Sequence, residues 1–310
     1  MAVIAAFAFL LAIIGAGFGY FFIQDYYEEH VQRPKSTAVQ VGESTIDLDY
    51  FARRLKLSLT GASFQDPSQA QTAILSVIWT LEREELLVQR APADLGVSVT
   101  PEEMELEIGD RLGLSQSDPE TFASALEQEL KRSDLSDEEH RRVVEADVLS
   151  RKVQEVFSLS VPQTTEQVRM RQILVGTEDE ARSLLERLDG GEDFGDLARE
   201  LSLDSATKEE GGERDWLARD ELDLSYAVEV FDLEVGTLSQ PIPGRGGYFI
   251  FEVEEKEGDR EVTDDQRGRI SSSYFSLWMG EQRTLLTVPD IQPLLEDIDK
   301  FEWAFEKAFG

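Results

Sequence analysis

The first 23 residues, MAVIAAFAFLLAIIGAGFGYFFI, carry no charged side chain and are almost wholly apolar. As a helix the stretch reaches about 35 Å, enough to cross a hydrocarbon layer of about 30 Å. A cleavable leader has a shorter apolar run and a basic start. This segment is too long and has no basic start, so an uncleaved transmembrane anchor over residues 1–23 is expected. Tyr20, Phe21, Phe22, Tyr26 and Tyr27 would then form an aromatic belt at the exit interface. Gly15 and Gly19 make a small-xxx-small pair that suits a homodimer of two such helices, and a lone anchor equally well. The nearest cations, Arg33 and Lys35, lie beyond intervening acids, so the flanking charges leave the orientation open.

The rest of the chain divides by texture. Residues 24–38 are a polar juxtamembrane linker. From 39 to 162 the apolar spacing is helical. Val39 to Gly42 reads as a short strand and turn, and Ser44 to Asp47 as a helix start. Asp47 or Asp49 is the expected N-cap of a helix through Leu59. After Asp66, a long helix places Ile74, Leu75, Ile78, Leu81, Leu86 and Leu87 close to one face. Thr100-Pro101-Glu102-Glu103 opens another helix, and two more fit Pro119 to Lys131 and Ser136 to Phe157. The expectation is an all-helical domain without a chemical cluster of its own.

At Val161-Pro162 the pattern changes to that of an α+β unit over 163–260. Val168 to Val175 alternates as a strand. Glu178 to Leu188 and Phe194 to Leu201 read as helices, followed by a loop over Asp204 to Gly212. A helix over Leu224 to Phe231 precedes strands over Leu238 to Ile242 and Gly247 to Glu255. Residues 261–310 supply a helix over Asp264 to Leu286 and an acidic, aromatic tail. Tyr274, Phe275, Leu277 and Trp278 on that helix need a partner surface, and the helical domain is the expected one.

Charge and residue usage exclude several classes of function. With 63 acidic against 30 basic residues, the net charge of −33 repels phosphate backbones and anionic headgroups. Nucleic acid is therefore not an expected partner. The absence of cysteine removes disulfides, thiolate metal sites, cysteine nucleophiles and a lipidated-cysteine anchor.

The order of features in 163–260 resembles the parvulin (PpiC-type, rotamase) peptidyl-prolyl isomerases. Arg171-Gln172-Ile173-Leu174-Val175 is similar to the family's opening strand. Gly191-Glu192-Asp193-Phe194, with Leu197-Ala198 and Leu201-Ser202, resembles its helix-connecting signature. Asp204 with Gly211-Gly212 and Trp216 resembles its catalytic loop. Val235 to Ile242, with Gly247-Tyr248, resembles its closing strands. Together with the helical domain and the C-terminal helix, the chain resembles the membrane-anchored and periplasmic foldases of the SurA, PrsA and PpiD kind.

The resemblance implies a four-stranded antiparallel sheet with a shallow groove for an extended Xaa-Pro segment of unfolded or exported polypeptides. It implies no cofactor, metal or nucleophile. Prolyl isomerisation crosses a barrier of about 18–20 kcal/mol because amide resonance must be broken. An apolar pocket that takes the twisted imide out of water lowers that barrier. Leu222, Tyr226 and Phe231 fall where the family supplies pocket side chains, although Phe231 also reads as helix-to-sheet core. Asp204 occupies the position of a catalytic aspartate or cysteine.

The family's two histidine positions carry Gln172 and Phe249. No histidine follows His140. Glutamine still exchanges hydrogen bonds, whereas a phenylalanine ring does not. Three readings follow: a weak isomerase using Asp204 and Gln172 with Phe249 lining the groove; a peptide-binding chaperone that keeps the fold without catalysis; or a structural subunit of an envelope complex. The anchor and the foldase resemblance together place the bulk of the chain outside the cytoplasmic membrane, in the periplasm or its equivalent.

Overall fold

The computed structural model describes residues 27–59, 67–114, 118–289 and 292–309. The segment expected as an anchor, Met1 to Ile23, lies outside the described residues. Among the described residues, no helix is long and apolar enough to cross a membrane. The chain divides into two compact units, Met1–Val153 with Trp278–Gly310, and Gln154–Leu277.

In the first unit a π-helical turn over Glu28–Gln32 precedes a hairpin of β1 (Thr37–Val41) and β2 (Ser44–Asp47), turned at Gly42 with φ +60°. The region is therefore helical but not all-helical. Ser44 to Asp47, expected as a helix start, is a second strand, because the left-handed glycine folds it back onto Val39 to Val41. Helix α1 (Leu48–Ser58) then starts at Asp47, whose side chain accepts from the Tyr50 N–H. Helices α2 (Pro67–Leu95), α3 (Pro101–Arg111), α4 (Pro119–Ser133) and α5 (Asp137–Ser160) follow, the last crossing the boundary between the units. Thr100 and Glu103 form a reciprocal capping box at α3.

Phe51, Leu55, Ile74, Ile78 and Leu81 are buried together at the centre of this unit. Charge enters that core only where it is paired. The Arg54 guanidinium meets both Glu84 oxygens at 2.7 Å and donates to the Tyr50 hydroxyl, which satisfies it in a place water cannot reach. The tail is not a loose surface segment. It forms α10 (Pro293–Glu296) and α11 (Ile298–Phe309), and Leu294, Ala304 and Ala308 complete the same cluster. Gln292 ties it down through its amide, exchanging bonds of 2.7 and 3.1 Å with the Gln40 backbone on β1.

The second unit is built on an antiparallel sheet ordered β4-β3-β6-β5. Its strands are β3 (Thr164–Val175), β4 (Glu213–Ala218), β5 (Ile242–Gly244) and β6 (Gly247–Glu261). β4 was not legible as a strand in the sequence. The expected strand over Leu238 to Ile242 is reduced to single contacts with β6, a bridge from Leu238 to Glu252 and a bond from the Ser239 N–H to the Phe251 carbonyl. Pro241, which has no N–H, separates these contacts from β5.

Alternation along β3 and β6 gives the sheet two apolar faces. On one, Ile173, Val175 and Ile250 pack against α6 (Glu178–Asp189) and α7 (Phe194–Leu201) through Ala181, Leu184, Leu197 and Ala198. On the other, Val168, Met170, Phe251 and Val253 pack against α8 (Leu224–Asp232) through Ala227, Val230 and Phe231. Helix α9 (Asp264–Leu285) begins in this unit, where Ile270 and Tyr274 close over Val161, Ala218 and Val262. Its aromatic face is thus divided rather than committed to the helical region. Tyr274 belongs to this cluster and donates to Asp220 at 2.9 Å, Leu277 is exposed, and Trp278 falls in the other unit.

Candidate functional site

The residues singled out as a candidate site gather on the α8 face of the sheet. Cross-strand partners share a face, and β3 pairs Gln172 with Phe251 and Leu174 with Phe249 on β6. Gln172, Phe249 and Phe251 therefore lie side by side. Tyr226 of α8 closes over the two rings, at 5.4 Å from Phe249 and 4.9 Å from Phe251, while those two stack at 5.4 Å. Gly244 leaves space for this cluster, since a Cβ there would come within 2.8 Å of the Phe249 ring.

The Asp204 loop closes onto the same place from the end of α7. The Leu203 N–H donates to the Leu174 carbonyl at 2.7 Å, and the Gln172 N–H donates to the Gly212 carbonyl at 2.8 Å, so both ends of the loop are tied to β3. Within it, Asp204 acts as a cap. Its carboxylate accepts from the Thr207 hydroxyl at 2.7 Å and the Ala206 N–H at 3.1 Å. Gln172 then donates to it through Nε2 at 2.5 Å. Among the described residues, Gln172 Oε1 is buried without a partner.

Burial pushes the Asp204 carboxyl up. Bonds from Thr207, Gln172 and the Ala206 N–H, together with the Arg214 charge, outweigh burial and hold it below the usual aspartate value. A depressed folded value adds stability above the ordinary aspartate range, and this is lost as pH falls through the folded value. Between pH of about 4 and 2, the native protein should therefore lose more thermal stability than Asp204→Asn. Parallel melting curves of the two proteins would contradict this.

The structure brings Gln172, Asp204, Tyr226 and Phe249 to one neighbourhood. Leu222 is 7% and Phe249 8% exposed, so both meet solvent only at an edge, and Phe231 at 3% lies in the core beneath. Two residues that contribute here were not singled out in the sequence. Thr207 is signalled by its place three residues after Asp204, the spacing of a side-chain cap. Arg214 stands opposite Met170 across β3 and β4, and so on the site face.

A four-stranded antiparallel sheet thus carries a loop carboxylate and an aromatic cluster on one face. Residues 163–255 match the family model described as Rotamase, the PPIC-type PPIASE domain, and this part of the chain is a parvulin domain of that type. Chaperone SurA of Chromohalobacter salexigens is 34% identical over 116 residues, 34% of this chain and 27% of that protein. Foldase protein PrsA of Clostridium kluyveri is 32% identical over 115 residues, 36% of this chain and 34% of that one. The chain thus spans about a third or less of these relatives' length. The crystal structure of the peptidylprolyl isomerase PrsA from Bacillus anthracis aligns with a TM-score of 0.45 and 18% identity, covering 74% of this chain and 94% of that one.

Proposed function

We propose that this chain is a membrane-anchored folding factor whose parvulin domain binds extended Xaa-Pro segments of exported polypeptides and isomerises them slowly. The observation that carries the reading is the paired state of the site. Asp204 and Gln172 bond to each other rather than standing open, and Phe249 stacks into the aromatic cluster. An apolar surface of this kind gives affinity to ground state and twisted state alike. Acceleration needs bonds that strengthen only in the twisted state. The matching peptide-binding chaperone reading, in which catalysis is lost altogether, draws on the same Phe249.

Titration of the isotope-labelled soluble part with a short proline peptide tests the binding. Shift changes should centre on Gln172, Asp204, Tyr226 and Phe249. A response confined to other surfaces, or none at millimolar peptide, would overturn the reading. The anchor rests on the length and charge-free character of Met1 to Ile23. Protease added to intact cells should cut the large domain, and a protected domain or a mature N-terminus beyond residue 20 would contradict anchoring with the bulk outside.

A further inference from the structure

Arg214 lies on β4 directly opposite Met170, so its side chain leaves the sheet on the face that carries Gln172, Phe249 and Phe251. It is half-buried, and no ion pair or hydrogen bond engages its guanidinium among the described residues. The carboxylate of the site, Asp204, is already committed to Thr207, Gln172 and the Ala206 N–H. Arg214 is close enough to influence both Asp204 and the Tyr226 hydroxyl. In this domain most arginines on strands are paired, as Arg171 is with Glu252 and Arg169 with Glu255. A partly desolvated guanidinium left without a carboxylate, beside a peptide groove, offers two parallel donors to an incoming acid.

We infer that Arg214 selects peptides with an aspartate or glutamate next to the proline, by a two-pronged bond to that carboxylate. The inference rests on the peptide-binding reading above. Its sign runs against the field of the whole molecule. A net charge of −33 repels an acidic peptide and attracts a basic one, so general electrostatics orders the peptides lysine, glutamine, glutamate. A local cation in the groove reverses the last two.

The test measures dissociation constants of Ala-Glu-Pro-Ala and Ala-Pro-Glu-Ala peptides against their glutamine counterparts. The proteins are the full native chain in detergent, Arg214→Gln, and Arg182→Gln as a control for lost charge, since Arg182 pairs with Glu178 on the exposed side of α6. At least one glutamate peptide should bind the native protein about 3- to 10-fold more tightly than its glutamine partner. That ratio should fall to one or below in Arg214→Gln and persist in Arg182→Gln. Equal binding of glutamate and glutamine peptides to native protein, or a ratio that survives Arg214→Gln, overturns the selectivity while leaving the groove in place. Failure of all the peptides to bind overturns the groove and the selectivity together.

Discussion

A Gln172→His, Phe249→His variant should isomerise Xaa-Pro peptides at least about 10-fold faster than the native protein, with peptide affinity changing much less than the rate. The pair of histidines that the family resemblance implies would sit on adjacent strands of one face, because Gln172 lies opposite Phe251, two residues from Phe249 on β6. In the native chain the same two places hold an amide committed to Asp204 and a ring stacked on Phe251. The ring can supply no hydrogen bond to the twisting imide, and the amide's Nε2 is already engaged by Asp204. Replacing Phe249 removes part of an aromatic cluster, so the variant's melting curve accompanies the kinetics, and Gln172→His alone serves as the milder comparison. A folded double variant that exchanges no faster than native would show that the rate is limited elsewhere, most plainly by the shape of the pocket over Leu222 and Tyr226.

Gly212→Ala should destabilise the site loop by about 2–4 kcal/mol, far more than an ordinary surface change. Gly212 has φ +84°, and a Cβ on it would fall 2.4 Å from the Gln172 carbonyl oxygen and 3.2 Å from its nitrogen. The backbone there is pinned on both sides. Its carbonyl accepts from the Gln172 N–H, and its own N–H donates to the Thr207 carbonyl, each at 2.8 Å. A side chain must therefore push the loop off β3, which separates Asp204 from Gln172 and should abolish peptide binding. Hydrogen exchange at the Gln172 amide should quicken about 30-fold or more, the equivalent of about 2 kcal/mol. Gly236→Ala is the control for backbone strain alone, since Gly236 has φ +79° and nothing within 4 Å of the added carbon. Equal effects from the two substitutions would show that the close approach to Gln172 does not matter.

How far the sequence reached can be judged from particular elements. Helices with caps were legible to within a few residues, as at Thr100 with Glu103 and at Ser136 with Glu139, because a cap is a local bond between near neighbours. The strand Ser44 to Asp47 was missed because four residues carry too little alternation to outweigh the cap signal of Asp47. β4 was missed because it opens on three charged residues, Glu213-Arg214-Asp215, and carries no apolar alternation. The tail looked like a charged aromatic end. Its burial depends on Phe51 and Leu48, more than 200 residues away.

At the candidate site, Asp204 was singled out through the order of motifs, and its pairing with Gln172 was not foreseen. A glutamine's bond depends on which loop closes over it, and Gly212 decides that through its backbone. Arg214 escaped notice for a related reason. Which face it takes is set by register, and the pairing of β4 with β3 is irregular between Val168 and Met170, where Leu217 and Arg214 are their partners, which periodicity alone cannot place.

The central claim is that the domain keeps the groove and has lost most of the acceleration. Exchange spectroscopy on one proline peptide, with native protein and with Asp204→Ala at saturating peptide, tests it most directly. The account predicts that the peptide binds and that its cis and trans forms interconvert at no more than about ten times the uncatalysed rate, which is tens of seconds or slower. Exchange many hundredfold faster in the native protein, abolished by Asp204→Ala, would contradict it and make Asp204 with Gln172 a working catalytic pair.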